Sequence, residues 1–166
     1  MFKKNLLAAA VLFGGYYKSF SQNNVPKITG YASIVHPIVT LSSDPPAHNF
    51  KDYYVVGFPF GINYWKTPKV AFSFEVAPFI KAENGSSKTS YFLFHPGVVF
   101  ALGKGFSFTQ RMAFETTGRY GLTSIFSKVV IRGRNCNYYM AVPVPVRFGN
   151  DKPTTTSIAF QLGVSF

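Results

Sequence analysis

From Ser157 to its last residue the chain reads SIAFQLGVSF, with Ile158, Phe160, Leu162, Val164 and Phe166 at every second position. Ala159, Gln161, Gly163 and Ser165 sit between them. A period of two predicts a β-strand with one bulky apolar face and one face of small or neutral side chains. The pattern recurs along the chain. In YYVVGFPFGINYW the bulky set is Tyr54, Val56, Phe58, Phe60, Ile62 and Tyr64; in KVAFSFEVAPFI it is Val70, Phe72, Phe74, Val76 and Ile80. YFLFHPGVVFAL, FSFTQRMAFET and NYYMAVPVPVRF repeat it, with Leu93, His95, Gly97, Val99, Arg111, Ala113, Ala141 and Arg147 on their smaller faces. Two further segments alternate less clearly. KITGYASIVHPIVTL has no purely apolar face, and LTSIFSKVVIR sets Ile125, Val129 and Ile131 against Lys128. Eight strands are therefore expected.

The connections predict an up-and-down meander. KTP, GKG and RGRN read as tight turns, whereas SSDPPAHNFKD, KAENGSSKTS, TTGRYG and GNDKPTT read as longer loops on the opposite side. No shift in composition marks a second domain in the 166 residues.

Which solvent the bulky faces meet decides the fold. A soluble barrel turns them inward and must cover its outside with Lys, Glu, Asp and Thr. Here the opposite face is dominated by Gly57, Gly61, Ala71, Ser73, Ala77, Gly97, Ala113, Ala141, Ala159 and Gly163. Small residues suit a narrow lumen filled by side chains. The bulky faces of the six clear strands carry no charge, as lipid contact demands. Charged residues are 14% of the chain, against about 25% in ordinary globular domains, and aromatics are 18%. Tyr and Trp gather near strand ends (Tyr53, Tyr64, Trp65, Tyr91, Tyr138), where interfacial girdles belong. The fold class expected is all-β: a closed antiparallel up-and-down transmembrane barrel.

The first 21 residues are set apart. Lys3 and Lys4 precede an apolar run from Leu6 to Gly15, too short to span a bilayer as a helix, and Ser19-Phe20-Ser21 has the small-x-small form of a cleavage site. A signal peptide over 1–21 and a barrel domain over 22–166 follow. Cys136 is the single cysteine, so no internal disulfide is available. The formal charge of +11 suits anionic lipid in an exported chain, and nucleic acid is not expected as a partner. Six bases, Lys27, Lys66, Lys69, Lys104, Arg132 and Arg134, form a turn-side rim without an acid.

Taken together, the leader, the repeated alternation and the terminal aromatic resemble the small eight-stranded outer-membrane barrels of Gram-negative bacteria, over Lys27 to Phe166. The resemblance implies a bacterial outer-membrane location, contact with outer-membrane lipids including lipopolysaccharide, and turns and termini facing the periplasm. It also implies that Gln161, Gly163 and Phe166 belong to the signal read by the barrel-insertion machinery, although QLGVSF lacks the usual second aromatic. It names no specific protein partner.

The candidate site is a polar network in the lumen: Glu75, His95, Arg111, Glu115, Arg147 and Gln161. Folding the strands about Ser86 and Lys104 sets Glu75 opposite Gly97 and Gly97 opposite Arg111, so Arg111 can reach across the missing side chain toward Glu75. Inward charges need partners because the bore is poorly solvated. The chemistry fits an ion-pair plug, with a proton relay, substrate site or gate as the functional alternative. No catalytic residue, metal site or cofactor is expected. His36 and His95 precede proline, His48 sits in a loop with Ser42, Ser43 and Asp44, and the His-x-Ser spacing of outer-membrane deacylases is absent. The function expected is a non-enzymatic envelope component, structural or binding through its loops; a small pore is the alternative, and a lipid-modifying enzyme ranks behind both.

Overall fold

Alternation along each strand translates directly into an inside and an outside. The structure, a computed structural model, describes residues 27–42, 45–51, 53–149 and 151–166. The expected signal peptide, Asp44 and Asp52 lie outside the described residues. Ten strands run in chain order: β1 (Lys27–Leu41), β2 (Ala47–His48), β3 (Tyr54–Gly57), β4 (Phe60–Thr67), β5 (Val70–Glu83), β6 (Ser86–Gly103), β7 (Phe106–Glu115), β8 (Tyr120–Arg132), β9 (Asn137–Gly149) and β10 (Lys152–Ser165). All pairings are antiparallel: β5 to β10 pair in succession, β3 and β4 each lie between β1 and β5, β2 pairs β1, and β10 returns to pair with β1 from Tyr31↔Ser165 to Leu41↔Thr156. The pairing of β10 with β1 thus closes the long strands into a ring, and among the described residues only the two-residue β2 is paired on one side alone.

The strand count is ten rather than eight. The second expected strand is cut at Phe58-Pro59, because a proline has no N–H to give to a ladder. Its halves, β3 and β4, follow one another between the same neighbours, β1 and β5. Across the cut, Ser33 N–H donates to the Pro59 carbonyl (2.8 Å) and Phe58 N–H to that of Pro78 (3.0 Å). The other addition is β2, two residues of the long loop paired to Val39 and Thr40. A second proline effect leaves the count unchanged. Between Ala141↔Gln161 and Val146↔Thr156 the β9–β10 ladder lapses, over the stretch holding Pro143 and Pro145.

Two of the supposed long loops are tight turns. β5 and β6 run on to Glu83↔Ser86, leaving Asn84 and Gly85 as a two-residue turn in which both have positive φ (51° and 73°). Asn-Gly is the dipeptide that such hairpin turns favour. β9 and β10 likewise approach to Gly149↔Lys152. The expected contrast between a short-turn end and a long-loop end therefore reduces to one long loop, residues 42–53.

Burial follows the alternation inside out. On β5, Phe72 is 63% exposed while its neighbours Ala71 and Ser73 are 0% and 4% exposed. Phe60, Ile62, Phe74, Met112, Phe126, Val142 and Leu162 are also exposed, and the buried set is mostly alanines, β-branched or polar residues, with Tyr31, Phe79, Leu93 and Ile125 as its bulkier apolar members. The sixth expected strand is a correction. In β8 it is Leu122 and Phe126 that face outward, whereas Ile125 is buried and lines the interior with Val129. A bulge between Val129 and Ile131 flips the parity, so Val130 and Ile131 are both exposed. One residue out of register reverses every face beyond it.

Register near the centre depends on one glycine. Gly97 lies opposite Arg111 on β7 and Ser73 on β5. A Cβ built there would collide with the Gln110 carbonyl and the Arg111 side chain. Gly97→Val is expected to destabilise the barrel by about 1–3 kcal/mol through overpacking, read as a lower urea midpoint for unfolding in detergent.

Candidate functional site in the lumen

The smaller faces of β1 and β5–β9 converge at mid-depth on a single hydrogen-bonded cluster. Glu75 on β5 is 3% exposed and stands directly opposite His95 on β6, rather than opposite Gly97 as the sequence reading had it. The difference of two residues arises because the hairpin turns at Asn84-Gly85, and a bulge between Phe79 and Ile80 shifts the ladder. The change brings the imidazole into the site: His95 Nδ1 lies 2.8 Å from Glu75 Oε1.

Arg111 reaches Glu75 across Gly97, as expected. Its Nη1 forms an ion pair with Glu75 Oε2. Its Nη2 donates to Ser73 Oγ (2.8 Å) and Tyr31 Oη (2.9 Å), and the Tyr31 hydroxyl in turn donates to Glu75 Oε2 (2.9 Å). A carboxylate only accepts, so His95 Nδ1 carries the hydrogen toward Glu75. In the neutral ring Nε2 then accepts from the Thr123 hydroxyl at 2.9 Å. Thr123 Oγ1 also accepts from Arg147 Nη1 (3.0 Å), and Arg147 Nε donates to Glu115 Oε1 (3.0 Å). Arg147 Nη1 further contacts the carbonyls of Leu122 and Val146. The result is one chain, Arg111–Glu75–His95–Thr123–Arg147–Glu115, laid across the bore.

Five of the six expected lumen residues belong to this chain. The sixth, Gln161, is buried but belongs to a separate pair: its Nε2 donates to Ser33 Oγ (2.7 Å) and lies 3.4 Å from Tyr139 Oη. Sequence reading missed Tyr31, Ser73 and Thr123. Tyr31 hid in the strand with the weakest alternation. Ser73 and Thr123 are unremarkable until the register sets them beside Arg111 and His95.

The cluster is a partition. A cavity of about 550 Å³ opens at the turn end, lined by Lys27, Asn63, Trp65, Arg111, Arg134 and Tyr139 among others. A second, of about 230 Å³, lies at the loop end, and Glu75 borders both. The other expected residues fall outside the partition. Lys66, Lys69, Lys104, Arg132 and Arg134 are all exposed at the turn end, with no carboxylate within ion-pair distance among the described residues. Phe166 is 64% exposed, and its backbone exchanges two hydrogen bonds with Gly30. Gly163 lies beneath the Tyr139 ring, which a Cβ would strike. No group of three or more His, Cys, Asp or Glu residues able to hold a metal occurs among the described residues.

A closed antiparallel ring, apolar outside and polar at its centre, is the architecture of transmembrane β-barrels. No family model and no curated protein matches the chain. Among solved structures it is similar to the de novo designed TMB2.3, solved by solution NMR, at 10% identity and a TM-score of 0.47 over 87% of this chain and 96% of that one. It is also similar to a structure described as de novo design of transmembrane β-barrels (10% identity, TM-score 0.43, 83% and 95% covered). The third is the toluene transporter TbuX of Ralstonia pickettii (13% identity, TM-score 0.37, 87% of this chain and 44% of that one).

Charge removal tests the partition. Glu75→Gln leaves Arg111 as a buried cation without its carboxylate and is expected to cost about 3–5 kcal/mol. Glu75→Gln with Arg111→Met should cost less than the sum of the two single changes, because contacting residues couple. A cycle of urea unfolding curves measures both.

Proposed function

We propose that the chain is an integral outer-membrane barrel of a Gram-negative envelope, exported by a cleaved signal peptide, with a non-enzymatic role that is structural or binding through its loops. The observation that carries this reading is the partition. Both cavities end on Glu75, and the side chains between them are tied to one another instead of lining an open path. Support for a membrane location comes from the belt of exposed Phe, Ile and Leu around the ring, an arrangement that water would penalise and hydrocarbon favours. Closure of the sheet also meets the requirement that backbone groups in lipid pair internally.

The partners follow from the two rims. Exposed lysines and arginines at the turn end suit anionic headgroups, and the loop end faces lipopolysaccharide. The barrel-insertion machinery would read the terminal strand at Gln161, Gly163 and Phe166. A non-enzymatic role is favoured by burial: His95 is 3% exposed, and the Thr123 hydroxyl beside it is 2% exposed and is also held by Arg147. A pore is the second reading, favoured by the thinness of the partition: Glu75 touches the space on both sides.

Planar bilayers decide between them. The natural chain is expected to give no steady ion conductance, whereas Glu75→Ala with Arg111→Ala joins the cavities and gives stepwise current. Steady conductance by the natural chain would overturn the plugged-barrel reading. The membrane location has its own test. Phe74→Lys on the outer face should destabilise the barrel in lipid by roughly 2–4 kcal/mol, while Glu83→Lys beside the turn should change stability by less than about 0.5 kcal/mol; equal small effects at both sites would argue against hydrocarbon at Phe74.

A further inference from the structure

The interior of a membrane barrel is ordinarily polar, yet the loop-end half of this one holds an apolar cluster beside the polar chain Glu75–His95 and Arg147–Glu115. Val35, Ala77, Phe79, Leu93, Ala113 and Ala159 form a buried apolar cluster there, and Val55 and Tyr91 pack against it. Phe79 and Tyr91 stack with ring centroids 4.6 Å apart and planes at 14°. Five of the six cluster residues line the loop-end cavity of about 230 Å³. An apolar cavity of about 150 Å³ is enough to take up benzene, so this one has room for a somewhat longer hydrocarbon body. Its floor is the Glu75–His95 pair, and its mouth is at the loop end.

The mouth carries an unmatched cation. Arg119, in the connection between β7 and β8, lines the cavity and is held by Nη2, which donates to the Pro153 carbonyl and Thr155 Oγ1, each at 3.0 Å. Among the described residues no carboxylate lies within ion-pair distance of it. Glu115, at the end of β7, is committed to Arg147. Arg119 Nε is buried without a hydrogen-bond partner. A positive charge fixed at the rim of an apolar slot selects a ligand with a hydrocarbon body and one anionic end, because the carboxylate supplies a counter-charge that none of the described residues provides.

We propose that the loop-end cavity is a binding site for a small amphipathic carboxylate, with its hydrocarbon body between Ala77, Leu93 and Ala159 and its carboxylate on Arg119. This deepens the binding role proposed above, but it does not depend on whether the partition conducts. The bilayer recordings and the titration below can therefore fail separately.

The probe is sodium octanoate, titrated calorimetrically into the full mature barrel in lipid nanodiscs, with empty nanodiscs as the blank. Saturable one-site binding above the blank is expected. Arg119→Gln should weaken octanoate at least tenfold while leaving the affinity for 1-octanol within twofold. Filling the slot by Ala77→Phe should abolish both, with Ala159→Val as a milder filling change and circular dichroism as the check that each variant is folded. Three results would overturn the proposal: no saturable heat above the blank, octanoate affinity unchanged by Arg119→Gln, or binding that survives in folded variants with the slot filled. Equal affinities for octanoate and 1-octanol in the natural chain would also overturn the carboxylate assignment.

Discussion

At mid-depth the bore leaves little space for water to surround an ion, so the charges that gather there have to be met by protein atoms. The Glu75–Arg111 pair is where that constraint bears hardest. Desolvating two charges costs several kcal/mol each, and only close geometry and further hydrogen bonds repay it. Here the repayment is spread around the ring: Tyr31, Ser73, His95 and Thr123 come from β1, β5, β6 and β8, and each fills a donor or acceptor site on the pair or its neighbour. The same contacts tie opposite walls together. What satisfies the charges also closes the lumen.

Much of the rest follows from that closure. With the centre occupied by polar side chains, the residues flanking them must be small. Ala71, Ala77 and Ala113 are wholly buried, and Gly97 leaves the passage by which Arg111 crosses to β5. Most of the phenylalanines are displaced to the outside, with Phe79 among the few bulky apolar side chains kept within. The partition also leaves the two ends unequal, a cavity of about 550 Å³ at the turns and one of about 230 Å³, walled in part by the apolar cluster, at the loops.

The face of each residue in the regular strands was legible in the sequence, because a period of two needs only local information. The lumen residues were legible for the same reason: a lone Glu, His or Arg among alanines and glycines on the small face has nowhere else to point. Register was less accessible. It depends on where hairpins turn and on single-residue bulges, and the turn at Asn84-Gly85 lay inside a segment rich enough in polar residues to pass for a loop. That misreading set Glu75 opposite Gly97 instead of His95. In β8 the run Lys128-Val129-Val130-Ile131 contains no break in polarity to betray the bulge, so Ile125 and Val129 were given the wrong face. Partners such as Tyr31 and Thr123 carry no signal at all until distant strands are brought together.

One stretch of wall is built differently from the rest. Ala159 on β10 faces Pro37 of β1 on one side, and on the other it runs beside the Pro143–Pro145 lapse in β9. None of the three prolines has an amide hydrogen to offer. Here β10 keeps its pairing with β1 but has no rungs to β9 between Ala141 and Val146. A closed sheet deforms where its rungs are fewest, so this barrel has a compliant side instead of uniform stiffness. Thermal breathing and lateral pressure from the surrounding medium would be absorbed there, sparing the charged tie at mid-depth.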